Sequence, residues 1–342
     1  KLMNNQKKES FIASVRSNYE SIRANRKLKV KTRNLTLMEA RKRKFQINWI
    51  EYEIPRPTIP GIQVFDNYPL GELVDYIDWS PFFHAWEMKG IYPKILDSQK
   101  YGYEAQKLFA DGRKILESII SDKKISAKAV LGIYPAHAEN ETVYIENTSF
   151  HFPRQLMDKG LDSQNYSLAD FIAPKRDFMG LFAVTAGHGV KELALEYEKD
   201  NDDYYAIMIK VLADRLVEAL SEQLHEKVRR EYWRYAPEEK LINDELIKEK
   251  YRGIRPAPGY PSCPNHEEKD KIWKLLNVFE NTGITLTETR AMNPAASVCG
   301  WYFSHPKSKY FSLGTKWINT SENKLEEEES QFDSQNKLKP VN

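Results

Sequence analysis

The chain has 342 residues, 51 Lys plus Arg against 49 Asp plus Glu, a formal net charge of +2, and 41% hydrophobic with 12% aromatic residues. That balance excludes global disorder and gives no strong field toward nucleic acid or membrane, and no apolar run approaches the roughly 20 residues of a membrane helix. Two cysteines, Cys263 and Cys299, make no disulfide framework, and the charged N-terminus lacks an apolar signal region, so a reducing cytoplasm is expected.

In chain order, residues 1–44 read as a polar linker with a helical stretch from Ser10 to Tyr19, and they end in the basic run ARKRK. A solvated linker is the preferred reading of that run over a nucleic-acid patch. Such a start looks like a piece cut from a larger protein. The alternation in FQINWIEYEI predicts an edge-type strand from Phe45 to Ile54, and PRPTIPG then forbids regular structure. A helix is predicted over Tyr103–Ser121 from the spacing of Ala105, Leu108, Phe109, Ile115, Leu116 and Ile119. Strands are predicted at Ala129–Pro135, Val143–Ile145 and residues 178–185, and Ala186-Gly187-His188-Gly189 reads as a helix-starting turn rather than a nucleotide loop.

The longest predicted helix runs from Asp203 to Tyr232. Met208, Leu212, Leu216, Leu220 and Leu224 form its apolar stripe, while Ile207, Val211, Asp214, Glu218 and His225 fall on another. Further helices are expected at Glu238–Lys250 and Lys269–Phe279, and strands at Thr285–Thr289 and Ser297–Phe303. Residues 319–342 are polar and charged, and disorder is expected there. The domain proper is therefore 45–318. Strands and helices mix without β-α-β alternation, which gives an α+β class with an antiparallel sheet.

The informative stretch is YRGIRPAPGYPSCP, Tyr251–Pro264. Its prolines and glycines preset an irregular loop. One guanidinium, Arg255, and one ring, Tyr260, on a stiff backbone suit a small ligand that has a carboxylate and a flat ring. The plain alternative is a proline-rich turn between two helices. Asp78 taken alone is a turn residue, Glu218 a solvated helix position, and Tyr310 a packing residue. The seven histidines show no paired metal spacing; a Glu218/His225 face and a Cys263/His266 pair are both incomplete as sites.

R-x-x-x-G-Y-P, present as Arg255, Gly259, Tyr260 and Pro261, resembles the S-adenosylmethionine signature of the activation domain of cobalamin-dependent methionine synthase. YIDWSPFFHAWEMKGIYP around Asp78, LADRLVEALSEQLHEKVRREYWRYAP around Glu218 and GWYFSHPKSK before Tyr310 resemble the same domain in the same order, over roughly residues 45–312. The resemblance implies a single C-shaped domain with a curved antiparallel sheet flanked by helices. It implies cofactor-binding roles for Asp78, Glu218, Arg255, Ala257, Gly259, Tyr260, Tyr310 and Phe311, the last standing where relatives often carry a second tyrosine. No catalytic or metal-binding residue is implied.

By the same resemblance the chain is a methyltransferase's reactivation module. It binds S-adenosylmethionine and presents its methyl for reductive methylation of cobalamin, which a separate domain holds. Its expected partners are that cobalamin-binding domain and flavodoxin or a similar electron donor, with no nucleic acid, no membrane and a monomeric state. The D-x-H-x-x-G cobalamin signature and the homocysteine and folate modules are absent from this sequence. The alternatives are a non-catalytic docking module and a free-standing S-adenosylmethionine-dependent methyltransferase.

Overall fold

A computed structural model describes residues 5–28, 34–160 and 163–314. Its strands are β1 Gly61–Tyr68, β2 Ser126–Glu139, β3 Thr142–Ile145, β4 Thr148–His151, β5 Asp177–His188, β6 Thr285–Leu286, β7 Met292–Asn293 and β8 Ser297–Tyr302. Its α-helices are α1 Asn5–Leu28, α2 Leu37–Lys42, α3 Ser80–Ala85, α4 Gly102–Asp122, α5 Val190–Lys199, α6 Asp203–Lys227, α7 Asn243–Ile247, α8 Glu268–Leu276 and α9 Val278–Thr282.

The main sheet is antiparallel and curled, ordered β4-β3-β2-β5-β8. The long β2 serves two partners on one edge: residues 127–133 pair with β1, and 137–139 pair with β3. Its other edge pairs with β5 along most of its length. Strand alternation then builds two cores from one sheet. Ala127, Ala129, Leu131 and Ile133 of β2, with Phe182, Val184 and Ala186 of β5, face a core shared with α4 and α6. Val130, Tyr134 and Ala136, with Met179, Leu181 and Ala183, face the core under α8 and α9. This is the expected α+β arrangement, a curved antiparallel sheet flanked by helices.

Several local expectations fail for identifiable reasons. Residues 45–54 form no strand: Trp49 N–H donates to Ile47 and Tyr52 N–H to Asn48, which curls the segment into turns. The edge strand falls instead at β1, after PRPTIPG. The end of the supposed linker is fastened down, since Leu35 and Ala40 are buried and Leu35 N–H donates to Leu156. Thr36 caps α2 through Glu39, and Arg43 pairs with Asp158 at 2.8 Å. The helix expected over Glu238–Lys250 shrinks to α7. Glu239 is taken up by Arg229, and Glu249 has a left-handed φ of 54°. Asn277, at φ 47°, splits the next predicted helix into α8 and α9. The AGHG turn does start a helix: Gly189 has φ 86°, and α5 follows it. The tail from 319 lies outside the described residues. Among those described, no helix is long and apolar enough to cross a membrane.

Candidate functional site

The Tyr251–Pro264 loop is laid alongside β8 as an extra extended segment. Ile254 and Phe303 exchange backbone hydrogen bonds at 3.1 and 3.0 Å, and Trp301 N–H donates to the Pro256 carbonyl at 3.0 Å. Gly300 permits the approach, because a Cβ there would sit 2.4 Å from the Pro256 oxygen. Gly259, at φ 92°, turns the chain. Its N–H donates to Cys263 at 2.8 Å, and Cys263 N–H returns to Tyr260 at 2.9 Å. Only glycine takes that φ without strain.

The loop's leading guanidinium is already engaged by the protein. Arg255 Nη2 lies 2.8 Å from Glu222 Oε2, the two side chains being 19% and 10% exposed. Nη1 donates to the Tyr251 hydroxyl at 2.8 Å and meets His225 Nδ1 at 3.4 Å. The Arg255 N–H donates to the Tyr310 hydroxyl at 3.0 Å. Nε–H has no protein partner among the described residues. Burial works against the Arg255 charge, yet the Glu222 carboxylate holds its pKa above the usual arginine range.

Glu222, His225 and Arg229 come from the end of α6 and the turn after it. The apolar stripe packs this helix on the sheet. Val228–Tyr232 then widens into one π-helical turn, a rare element often found at functional sites. That turn carries the fully buried Arg229, bonded to Glu239 at 2.6–2.9 Å. Arg229 also stacks on the Tyr251 ring at 4.3 Å. Its Nη1 is 4.0 Å from Glu222 Oε1, a charge contact rather than a hydrogen bond, since both atoms lack hydrogen-bond partners. His225 stacks on Tyr302 and meets the Tyr235 hydroxyl at 3.3 Å. Burial, reinforced by Arg229 and Arg255, pushes His225 well below the ordinary range and keeps it neutral.

The remaining expected residues are placed as follows. Asp78 lies between the Leu70–Tyr76 turn and α3, both packed on α6. One oxygen accepts from Ser80 N–H at 2.9 Å, so it does act as a turn residue, and the other has no protein partner among the described residues. Glu218 is exposed on α6 without hydrogen bond or ion pair there. It is close enough to Tyr260 that its charge adds to burial in raising that phenol's pKa. Tyr260 is 61% exposed. Ala257 offers its carbonyl to Tyr260 N–H at a long 3.4 Å. Tyr310 is tied to Arg255. The partly buried Phe311 ring packs on Tyr166 against the second core.

Sequence reasoning missed Glu222 and Arg229. The signal was there: Glu222, His225 and Arg229 recur at helical spacing inside an apolar stretch. Glu218 lies exposed and His225 buried, so the two stand apart on α6. Among the described residues no cluster of three metal-capable side chains occurs.

A curled antiparallel sheet flanked by helices carries the R-x-x-x-G-Y-P loop clamped to its last strand. The family model for the vitamin B12 dependent methionine synthase activation domain matches residues 69–324. The crystal structure of the MetH reactivation domain bound to AdoHcy is similar over 83% of this chain and 91% of that one, at 45% identity and a TM-score of 0.81. The chain belongs to the activation-domain family of vitamin B12 dependent methionine synthase.

Proposed function

We propose that this domain binds S-adenosylmethionine at the Arg255 loop and presents its methyl group for reductive reactivation of cobalamin held by a separate domain. The observation that carries the reading is the charge layout. A fixed guanidinium with a free Nε–H stands on the stiff loop, while the Asp78 and Glu218 carboxylates are left without ion-pair partners among the described residues. That complements a ligand with one carboxylate, one ammonium and one sulfonium. The similar structure of the MetH reactivation domain was solved with AdoHcy, the demethylated form of the same ligand.

In this reading Arg255 takes the ligand carboxylate through charge-assisted hydrogen bonds. Asp78 and Glu218 balance its positive charges, and Tyr260 and the loop backbone line the adenine. Cobalamin, when bound by its own domain, supplies the nucleophile that accepts the methyl. The residues here supply position only: the leaving group is a neutral thioether, so no general base is required. An electron donor such as flavodoxin supplies the reducing equivalent. Calorimetric titration of S-adenosylmethionine into the wild-type domain and Asp78→Asn tests the reading, with weaker binding expected in the variant. Equal affinity would remove Asp78 from the site.

A further inference from the structure

The same loop carries a second arginine whose situation is the opposite of Arg255. Gly253, at φ 87°, turns the chain between them. Arg252 is half-buried, and its three nitrogens donate to the Ser304 carbonyl at 2.9 Å, the Tyr235 carbonyl at 2.9 Å and the Tyr52 hydroxyl at 2.7 Å. It has no carboxylate partner among the described residues. Two of its five N–H donors remain. A guanidinium withdrawn from water ordinarily acquires an anion, as Arg255, Arg229 and Arg154 all do here.

Arg252 lines a cleft of about 690 Å³, within the range of small-ligand pockets. Three more arginines converge on it from separate segments: Arg56, Arg176 and Arg234. All three are exposed, and none has an ion-pair partner among the described residues. The only acid in the lining, Glu53, pairs with none of them. The nearby Asp177 is turned to the backbone N–H groups of Ala173 and Phe178. Arg234 is held at φ 63°, a conformation non-glycine residues rarely adopt, and such residues cluster at functional sites. The rim is anchored: Trp233 Nε1 donates to the Pro55 carbonyl at 2.9 Å, and Ile59 N–H to Tyr232 at 2.9 Å. His305, tilted against the Tyr52 ring at 4.4 Å, is pushed down to about 4 by burial, to which the Arg252 and Lys307 charges add.

Four guanidiniums gathered around one concavity repel one another unless an anion joins them. We propose that this cleft is a binding site for a phosphate-bearing small molecule of nucleotide size. The planar forks match phosphate oxygens, and Tyr52 offers a ring beside them.

The test is calorimetric titration of pyrophosphate and of ATP into the full chain in phosphate-free buffer, with hepta-glutamate as the acidic-peptide control. Both phosphate ligands are expected to bind, and to bind more weakly as salt rises. Arg176→Ala/Arg234→Ala, both exposed, should weaken each by about tenfold or more while leaving circular dichroism and S-adenosylmethionine binding unchanged. Arg252→Lys should weaken them as well, because an ammonium lacks the fork. Absence of binding at millimolar ligand, equal binding by the rim variant, or binding of hepta-glutamate alone would each overturn the proposal. The last would mark a docking surface for an acidic protein segment. Because S-adenosylmethionine is titrated in parallel, failure here is distinct from failure of the Arg255 site.

Discussion

Arg255→Ala is expected to cost stability as well as ligand. The sequence alone argues that the loop's prolines would let the fold tolerate this change. The structure argues otherwise, because Arg255 is the 2.8 Å partner of Glu222, a carboxylate only 10% exposed. Glu222 Oε1 already lacks a hydrogen bond. Truncation would leave the other oxygen unpaired too, while Arg229 comes only within 4.0 Å of Oε1 and is already committed to Glu239. Removing one partner of a buried pair costs about 3–5 kcal/mol, or about 5–15 °C in midpoint for a domain of this size. The assay is thermal unfolding of wild type, Arg255→Ala and Arg255→Ala/Glu222→Gln. The double variant should regain part of the loss, because the orphaned charge is gone. A midpoint within a degree of wild type for Arg255→Ala, or no recovery in the double variant, would refute the reasoning.

Three further outcomes are expected. Burial pushes the Asp177 carboxyl up to about 6, above its unfolded value near 3.9, so its folded form holds a proton that the unfolded chain releases. Stability from this group is therefore present below pH 4 and lost as pH rises to about 6, and wild type minus Asp177→Asn should show that decline in chemical denaturation; a flat difference would place the carboxyl in water. Gly259→Ala forces an L-residue to φ 92° with its Cβ 2.1 Å from His266, so a loss of about 1–3 kcal/mol and weaker S-adenosylmethionine binding should appear together in melting and titration. Deleting residues 1–44 removes buried Leu35 and Ala40 and the Arg43–Asp158 pair, so the midpoint should fall by several degrees, contrary to a linker; an unchanged midpoint would restore the linker reading.

What the sequence made legible were features set by local chemistry. The helical stripe of α6, the apolar run of β5 and the Pro/Gly loop each declare themselves within a few residues. β1 was hidden because Gln63, Asp66 and Asn67 dilute its alternation, and its partners in β2 lie 59 to 72 positions away. The opposite error at Phe45–Ile54 came from alternation without a partner strand. In the site, the motif named the loop and Arg255 but not what Arg255 leans on. Glu222 reads as one more charge on a long helix until the π-turn and β8 bring it under the loop. Arg252 and Arg255 look equivalent in sequence; only tertiary contacts show that one has a carboxylate and the other has none.

The most direct measurement is isothermal titration of S-adenosylmethionine and S-adenosylhomocysteine into this chain without added cobalamin. Saturable one-to-one binding of both is expected, and it should weaken by about tenfold or more in Glu218→Gln/Asp78→Asn, whose two carboxylates carry no ion pair that the fold needs. A wild-type domain with native circular dichroism that gives no heat with either ligand would contradict the assignment of the Arg255 loop as the binding site.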